Sequence, residues 1–136
     1  MDKDILYYLC GPMSGIEFCN IPLFESAAAQ LRAAGFKIVS PAELDSAAVR
    51  AEGRASHEGV IKSQSWGSLL GRDVEIVADK VGGLILLPGF DRSRGARLEV
   101  FTGILCNKKF GLYDPSTESA IPADIDNIRN WLRRTI

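Results

Sequence analysis

Between Val81 and Lys109 the chain runs from an apolar stretch, Gly83-Leu84-Ile85-Leu86-Leu87-Pro88, through a polar turn, Gly89-Phe90-Asp91-Arg92-Ser93-Arg94-Gly95, into a segment with helical spacing that carries Glu99. A short bounded apolar run, a Gly-rich turn and an amphipathic helix form the strand-loop-helix unit of an α/β protein, whose ligands sit at the carboxyl ends of the strands. If the helix begins between Ser93 and Gly95, its free N–H groups and positive dipole end face the turn. Ser93 then offers a hydroxyl, and Arg92 and Arg94 offer charge. This is a phosphate site in outline. Glu99 lies four residues beyond Gly95 on the same helix face, about 6 Å further along at the helical rise. A phosphate at the turn leaves Glu99 roughly one sugar ring away. Glu within a helix and Arg near a helix start are also ordinary solvated residues, so the remaining segments have to decide between the two readings.

The rest of the chain repeats the unit. Ile5 to Cys10 is apolar and aromatic throughout, the pattern of a strand buried on both faces, and stops at Gly11-Pro12-Met13-Ser14-Gly15. That turn is not a dinucleotide fingerprint, because G-x-G-x-x-G is absent and Pro12 removes a donor. Asn20 is placed to cap a helix with Pro22 in its first turn and a stripe of Phe24, Ala27, Ala28 and Leu31, ending at Gly35. Phe36 to Ser40 reads as a second strand. Ser46 to Gln64 has no firm period and reads as an irregular or partly helical insertion. It contains the single histidine, His57, which without a partner in sequence reads as an exposed spectator.

Trp66, Leu69, Leu70, Val74 and Val77 then recur at helical spacing, turning Arg72, Glu75 and Asp79 outward and leaving Asp73 beside the stripe. Gly103 permits close packing of the helix that carries Glu99. Lys109 to Tyr113 reads as a fourth strand, Asp114 to Thr117 as a turn, and Ile121, Ile125, Ile128 and Leu132 as a closing helix. Alternating strands and helices predict one domain over residues 1–136: an α/β, Rossmann-like parallel sheet of four to five strands with helices on both faces. The turns Gly11–Gly15 and Gly89–Gly95 would share one edge of that sheet and line one pocket.

Composition limits what the pocket serves. A 46% hydrophobic share with 24% charged residues describes a globular chain, and a formal net charge of -1 provides no global field for polymeric nucleic acid or an anionic membrane. Anion binding therefore has to be local. Cys10, Cys19 and Cys106 are odd in number and lack C-x-x-C spacing, which argues against a disulfide framework or a metal site. The opening Met1-Asp2-Lys3-Asp4 leads into an apolar run too short for a signal or spanning segment, and the expectation is a cytoplasmic protein.

Tyr8 to Gly15 after the first strand, Asp73 in a helix and Ser93-x-Gly95-x-x-x-Glu99 together resemble the nucleoside 2-deoxyribosyltransferase-like superfamily. Within it the chain is most similar to a small phage and bacterial group sharing Gly-Pro-Met-Ser-Gly, Asn-x-Pro-x-Phe and Ser-Arg-Gly-Ala, here at Gly11–Gly15, Asn20–Phe24 and Ser93–Ala96. The resemblance covers nearly the whole chain. It implies N-glycosidic chemistry on a small-molecule nucleotide or nucleoside, without cofactor or metal. Glu99 corresponds to the carboxylate that attacks or stabilises the anomeric carbon, Tyr8 to the phenol that orients it, and Asp73 to an acid near the base or sugar. Gly11, Pro12, Met13, Ser14, Arg92, Ser93, Arg94 and Gly95 would surround the substrate and its phosphate. Since a neighbouring subunit completes the pocket in characterised relatives, a homodimer or larger homo-oligomer is implied as well.

One position divides the activities. Six residues before the nucleophile the transferases place an acid, which receives a 5'-hydroxyl, and the monophosphate hydrolases a serine. Here it is Ser93. A carboxylate there repels a 5'-phosphate, whereas Ser93 beside the Gly95 amide and Arg92 or Arg94 accepts one. The expectation is therefore an N-hydrolase of 2'-deoxynucleoside 5'-monophosphates, with a deoxyribosyltransferase and a non-catalytic nucleotide-sequestering module as alternatives.

Overall fold

The computed structural model describes residues 1–135. Strands β1 (Leu6–Cys10), β2 (Lys37–Val39), β3 (Gly83–Leu86), β4 (Lys109–Asp114) and β5 (Ser119–Pro122) form one sheet in the order β2-β1-β3-β4-β5. The first four are mutually parallel, and β5 runs antiparallel to β4. The helices are α1 (Ile21–Ala33), α2 (Pro41–Leu44), α3 (Ala47–Ala55), α4 (Trp66–Asp79), α5 (Arg94–Leu105) and α6 (Ile125–Thr135). This is the α/β, Rossmann-like arrangement that the alternation of apolar runs and amphipathic segments predicts.

Alternation along β1 divides the core into two layers, since neighbouring strand residues point to opposite faces. Tyr7 and Leu9 join Ile85 and Leu87 against Phe24, Ala27, Ala28 and Leu31 of α1. Tyr8 and Cys10 join Leu84, Leu86 and Phe110 against Val77 of α4, Ala96 and Val100 of α5 and Ile128 of α6. Helices therefore cover both faces, and every β3 residue is buried. Gly103 brings α5 down onto the sheet as its position suggested: a Cβ there would stand 2.8 Å from Leu84 Cδ1 and 2.9 Å from Phe110 Cζ.

Three local expectations are corrected. Ile121 belongs to β5, paired with Leu112, and not to the closing helix. The Asp114 carboxylate accepts bonds from the Ser116 amide at 3.0 Å and the Ser116 and Thr117 hydroxyls at 2.7 and 3.0 Å. That side-chain-closed turn reverses the chain into a hairpin, which helical periodicity cannot register. Asn20 precedes α1 but does not cap it: its φ of 57° is left-handed, far from the extended backbone a capping side chain uses, and its Nδ2 donates instead to Pro12 O at 2.9 Å. Arg72, assigned to the outer face of α4, turns inward to meet two carboxylates. The segment from Ser46 to Gln64 contains α3 and is tied to the first loop by Gly15 N to Gly59 O at 2.9 Å and Phe18 N to Ser56 O at 2.7 Å.

The strand order reverses direction beside β1: β2 lies on one side of it and β3 on the other. Such a reversal opens a crevice at the carboxyl ends of the two central strands, because their following loops leave in opposite directions. Here those loops are Gly11–Gly15 after β1 and Gly89–Gly95 after β3.

Candidate active site

A cavity of about 230 Å³ occupies that crevice. Its floor comes from β1, α4 and α5. Tyr8 and Cys10 are two residues apart on one strand and thus share a face, and Glu99 descends toward them from α5. The Tyr8 hydroxyl donates to Glu99 Oε2 at 2.8 Å, and Cys10 Sγ lies 3.4 Å from Glu99 Oε1. Glu99 is only 5% exposed. Its pKa is raised to about 8, first by burial and then by the charge of Asp73, against the opposing bonds from Tyr8 and Cys10. Burial followed by the nearby Glu99 pushes both the Tyr8 phenol and the Cys10 thiol well above their ordinary values, so both remain protonated donors.

Asp73 is buried beside this group, reached from α4. Arg72 Nε donates to Asp73 Oδ1 at 2.9 Å, its Nη1 to Asp45 Oδ1 at 2.6 Å, and its Nη2 to Pro41 O at 3.4 Å. One guanidinium thus serves two carboxylates and a carbonyl, the fork geometry that arginine provides and lysine does not. Burial still raises the Asp73 pKa, with Arg72 opposing it. Two neighbouring carboxyls with raised pKa values form a coupled pair that resists double ionisation.

The mouth is built differently. Ser93 stands at the N-cap of α5 with an extended backbone, and its Oγ accepts from Ala96 N at 3.2 Å. Among the described residues the hydroxyl proton meets no acceptor, which leaves it for a ligand. Gly89, in the left-handed region at φ 85°, turns the chain from β3 toward this cap. Arg92, Arg94 and Gly95 line the cavity with Ser93, and Gly11, Met13 and Ser14 line it from the opposite loop. The Arg94 guanidinium lies over the Trp66 ring, 4.8 Å from its centroid, which pins it at the mouth. Pro12 does not line the cavity: it is buried behind the wall, where its carbonyl receives Asn20. His57 is exposed, 3.5 Å from Glu17 and outside the cavity lining.

The fold thus gathers Tyr8, Asp73, Glu99, Ser93, Gly95, both arginines and most of the first loop around one space. Other lining residues are not marked as site residues by the sequence, Trp66, Leu69 and Leu70 being legible there only as the apolar stripe of a helix. Ile61, Trp66, Leu69 and Leu70 supply an apolar wall, and Asp45 a carboxylate. Cys10 was legible in principle as the residue two beyond Tyr8 on a strand, and Arg72 as the neighbour of Asp73. Asp45 is 27 residues from Arg72 and only the tertiary fold pairs them.

A family model described as a domain of unknown function (DUF4406) matches residues 5–109. The chain belongs to the DUF4406 family. Every residue that lines the cavity lies inside the DUF4406 segment, whereas β5 and α6 lie outside it. The family match therefore coincides with the part of the fold that builds the crevice. Comparison with curated proteins finds no match. Among the described residues no helix is long and apolar enough to cross a membrane.

Proposed function

We propose that this DUF4406 protein hydrolyses the N-glycosidic bond of a 2'-deoxynucleoside 5'-monophosphate, releasing free base and deoxyribose 5-phosphate. The observation that carries the reading is the arrangement along one helix. The N-terminus of α5 presents Ser93 and the Gly95 amide at the mouth, and Glu99 stands about one turn deeper, fixed by Tyr8 at the floor. A phosphate at the first and an anomeric carbon at the second are separated by one sugar ring. The resemblance to the deoxyribosyltransferase-like superfamily supports the same assignment.

In the reaction the Glu99 carboxylate bonds to C1' while the C1'–N bond breaks and its electron pair leaves with the base. Water then attacks C1', the bond between C1' and Glu99 breaks, the carboxylate is restored, and the proton that water sheds balances the one the departing base takes up. Positive charge developing at the sugar favours the ionised carboxylate even though burial disfavours it in the free protein. Asp73, held by Arg72, lies where the base or the sugar hydroxyls would pass. The wall of Ile61, Trp66, Leu69 and Leu70 offers the base an apolar surface.

We also propose that the working form is a homodimer or larger homo-oligomer. Leu98, Phe101 and Leu105 are exposed along one side of α5, the helix that begins at the cavity mouth, which supports coverage of that side by a second subunit. Light scattering of the purified protein reads this directly, and a monomer at micromolar concentration would refute it.

The function is tested by incubating the protein with a panel of deoxynucleotides, modified pyrimidines included, and with the matching nucleosides, and measuring released base. Release from monophosphates, lost in Glu99→Gln, is expected. Preference for nucleosides and a requirement for an acceptor base would establish the transferase instead. Tight nucleotide binding with no release, unchanged by Glu99→Gln, would establish a sequestering module.

A further inference from the structure

We propose that Cys10 is a positioning residue for the Glu99 carboxylate, its thiol holding the oxygen that Tyr8 does not hold. The two oxygens are served separately: Oε2 receives the Tyr8 hydroxyl at 2.8 Å, and Oε1 faces Cys10 Sγ at 3.4 Å. Among the described residues no other donor reaches either oxygen. Cys10 is fully buried, so no water competes for its thiol. A carboxylate held at one oxygen can swing about that bond; held at both, it keeps one plane toward the substrate.

The thiol has a second acceptor, Ala96 O, at 3.6 Å. Its one proton therefore has two destinations on α5, set by the state of Glu99. An ionised carboxylate is the stronger acceptor and takes it; a protonated one releases it to the carbonyl. An S–H group is a weak donor compared with a hydroxyl. It orients the carboxylate while withdrawing less of its basicity than a serine would, which suits a group that has to form a bond at carbon. A cysteine that merely fills the core would need neither contact, since the residue packs well as a small apolar group.

The groups facing Glu99 are Tyr8 and Cys10 from β1 and Asp73 and Arg72 from α4, with Arg92 and Arg94 at the mouth. Only the Cys10 contact changes in the variants that test the proposal. Its relevance to turnover rests on the proposed role of Glu99, but its physical content does not. Urea unfolding of the full chain is followed from pH 5.5 to 9.5 for wild type, Cys10→Ala and Cys10→Ser, each with and without Glu99→Gln, to locate the pH at which the Glu99-linked loss of stability is centred.

Cys10→Ala should move that midpoint up and Cys10→Ser should move it down, each by about half a pH unit or more, because one removes and the other strengthens a donor to the charged form. Both shifts should vanish in the Glu99→Gln background. Where base release is measurable, the pH profile of kcat/KM should shift in the same order. Coincident midpoints in all three proteins, with only a pH-independent loss in the variants, would assign Cys10 to packing and overturn the proposal. Should Cys10→Ala fail to fold, Cys10→Ser against wild type decides alone: a lowered midpoint supports the assignment and an unchanged one refutes it. Absence of base release in every variant would count against the proposed reaction and leave the unfolding result intact.

Discussion

The floor and the mouth of the cavity are made by opposite means. At the floor, Tyr8, Cys10, Asp73 and Glu99 are less than 10% exposed, each side chain has a named partner, and three elements distant in sequence converge. At the mouth, Arg92 and Arg94 are exposed, Ser93 is half-buried, and most of the lining comes from one turn and the helix that follows it. Burial makes the floor electrostatically expensive and hence chemically potent; exposure makes the mouth cheap and adaptable. Substitutions at the floor should therefore alter rate and pH dependence, and substitutions at the mouth should alter selectivity.

The largest effect is expected at Glu99. Glutamine preserves size and most hydrogen bonding but cannot become a nucleophile, so base release should fall about 1,000-fold or more in Glu99→Gln while the fold persists. Stability should move the other way. Because the folded-state pKa is raised to about 8 from a usual value near 4.5, the folded protein holds a proton that the unfolded chain gives up between those values. Wild-type stability is thus fully present below about pH 4.5 and falls as pH rises toward 8. Glu99→Gln should remove most of that decline and be the more stable protein at pH 8, on the order of a few kcal/mol, with Asp73 sharing the slope. The same ionisation should govern rate, so kcat/KM of wild type should climb with pH and level above about 8. A flat profile between pH 6 and 8 would place the ionised carboxylate elsewhere.

The next floor substitutions separate orientation from support. Tyr8→Phe deletes the hydroxyl on Glu99 and should lower turnover about 10- to 100-fold with little loss of stability. Tyr7 is equally buried but faces α1, and its hydroxyl donates to Asp2 O at 2.6 Å. Tyr7→Phe should leave turnover unchanged and cost about 1 kcal/mol at most. Equal rate losses in the two would remove the distinction between the faces of β1. Arg72→Ala leaves Asp73 and Asp45 without their shared cation and should destabilise by about 2 kcal/mol, less than for a fully buried pair because Arg72 retains 29% side-chain exposure. Urea unfolding measures it, and Asp45→Asn combined with Asp73→Asn should make the loss smaller.

The mouth was the more legible region from sequence, and the contrast has a physical reason. A Gly-bounded turn, a capping serine and a helix start are local, so Ser93, Gly95 and the spacing to Glu99 can be read from a few consecutive residues. The floor depends on contacts across the chain: Tyr8 meets Glu99 across 91 residues, and Arg72 meets Asp45 across 27. Helical periodicity even pointed Arg72 outward, because it scores apolarity and cannot see a carboxylate waiting on a distant loop. The same blindness placed Ile121 on a helix, since its spacing from Ile125 fits a helical face and the Asp114 turn that makes it a strand uses side-chain bonds. The Ser46–Gln64 segment lacked any period, yet its close fit to the first loop brings Ile61 to the cavity wall.

The smallest effect, and the one that tests the mouth by itself, is at Ser93. Its Oγ caps α5 through Ala96 N, so Ser93→Ala should cost about 1 kcal/mol through the cap and also raise KM for a monophosphate. Alanine therefore mixes two consequences. Aspartate separates them: it caps as well as serine and suits the positive end of the helix, so Ser93→Asp should keep or slightly raise stability. Its fixed charge repels a 5'-phosphate but accepts a hydrogen bond from a 5'-hydroxyl. The ratio of kcat/KM for a deoxynucleoside monophosphate to that for its nucleoside should drop about tenfold or more in Ser93→Asp, with the nucleoside rate little changed. Arg92 and Arg94 remain in place in this variant, and if their charges alone held the phosphate the ratio would stay near the wild-type value. An unchanged ratio would remove Ser93 from the phosphate site and move the assignment toward the transferase.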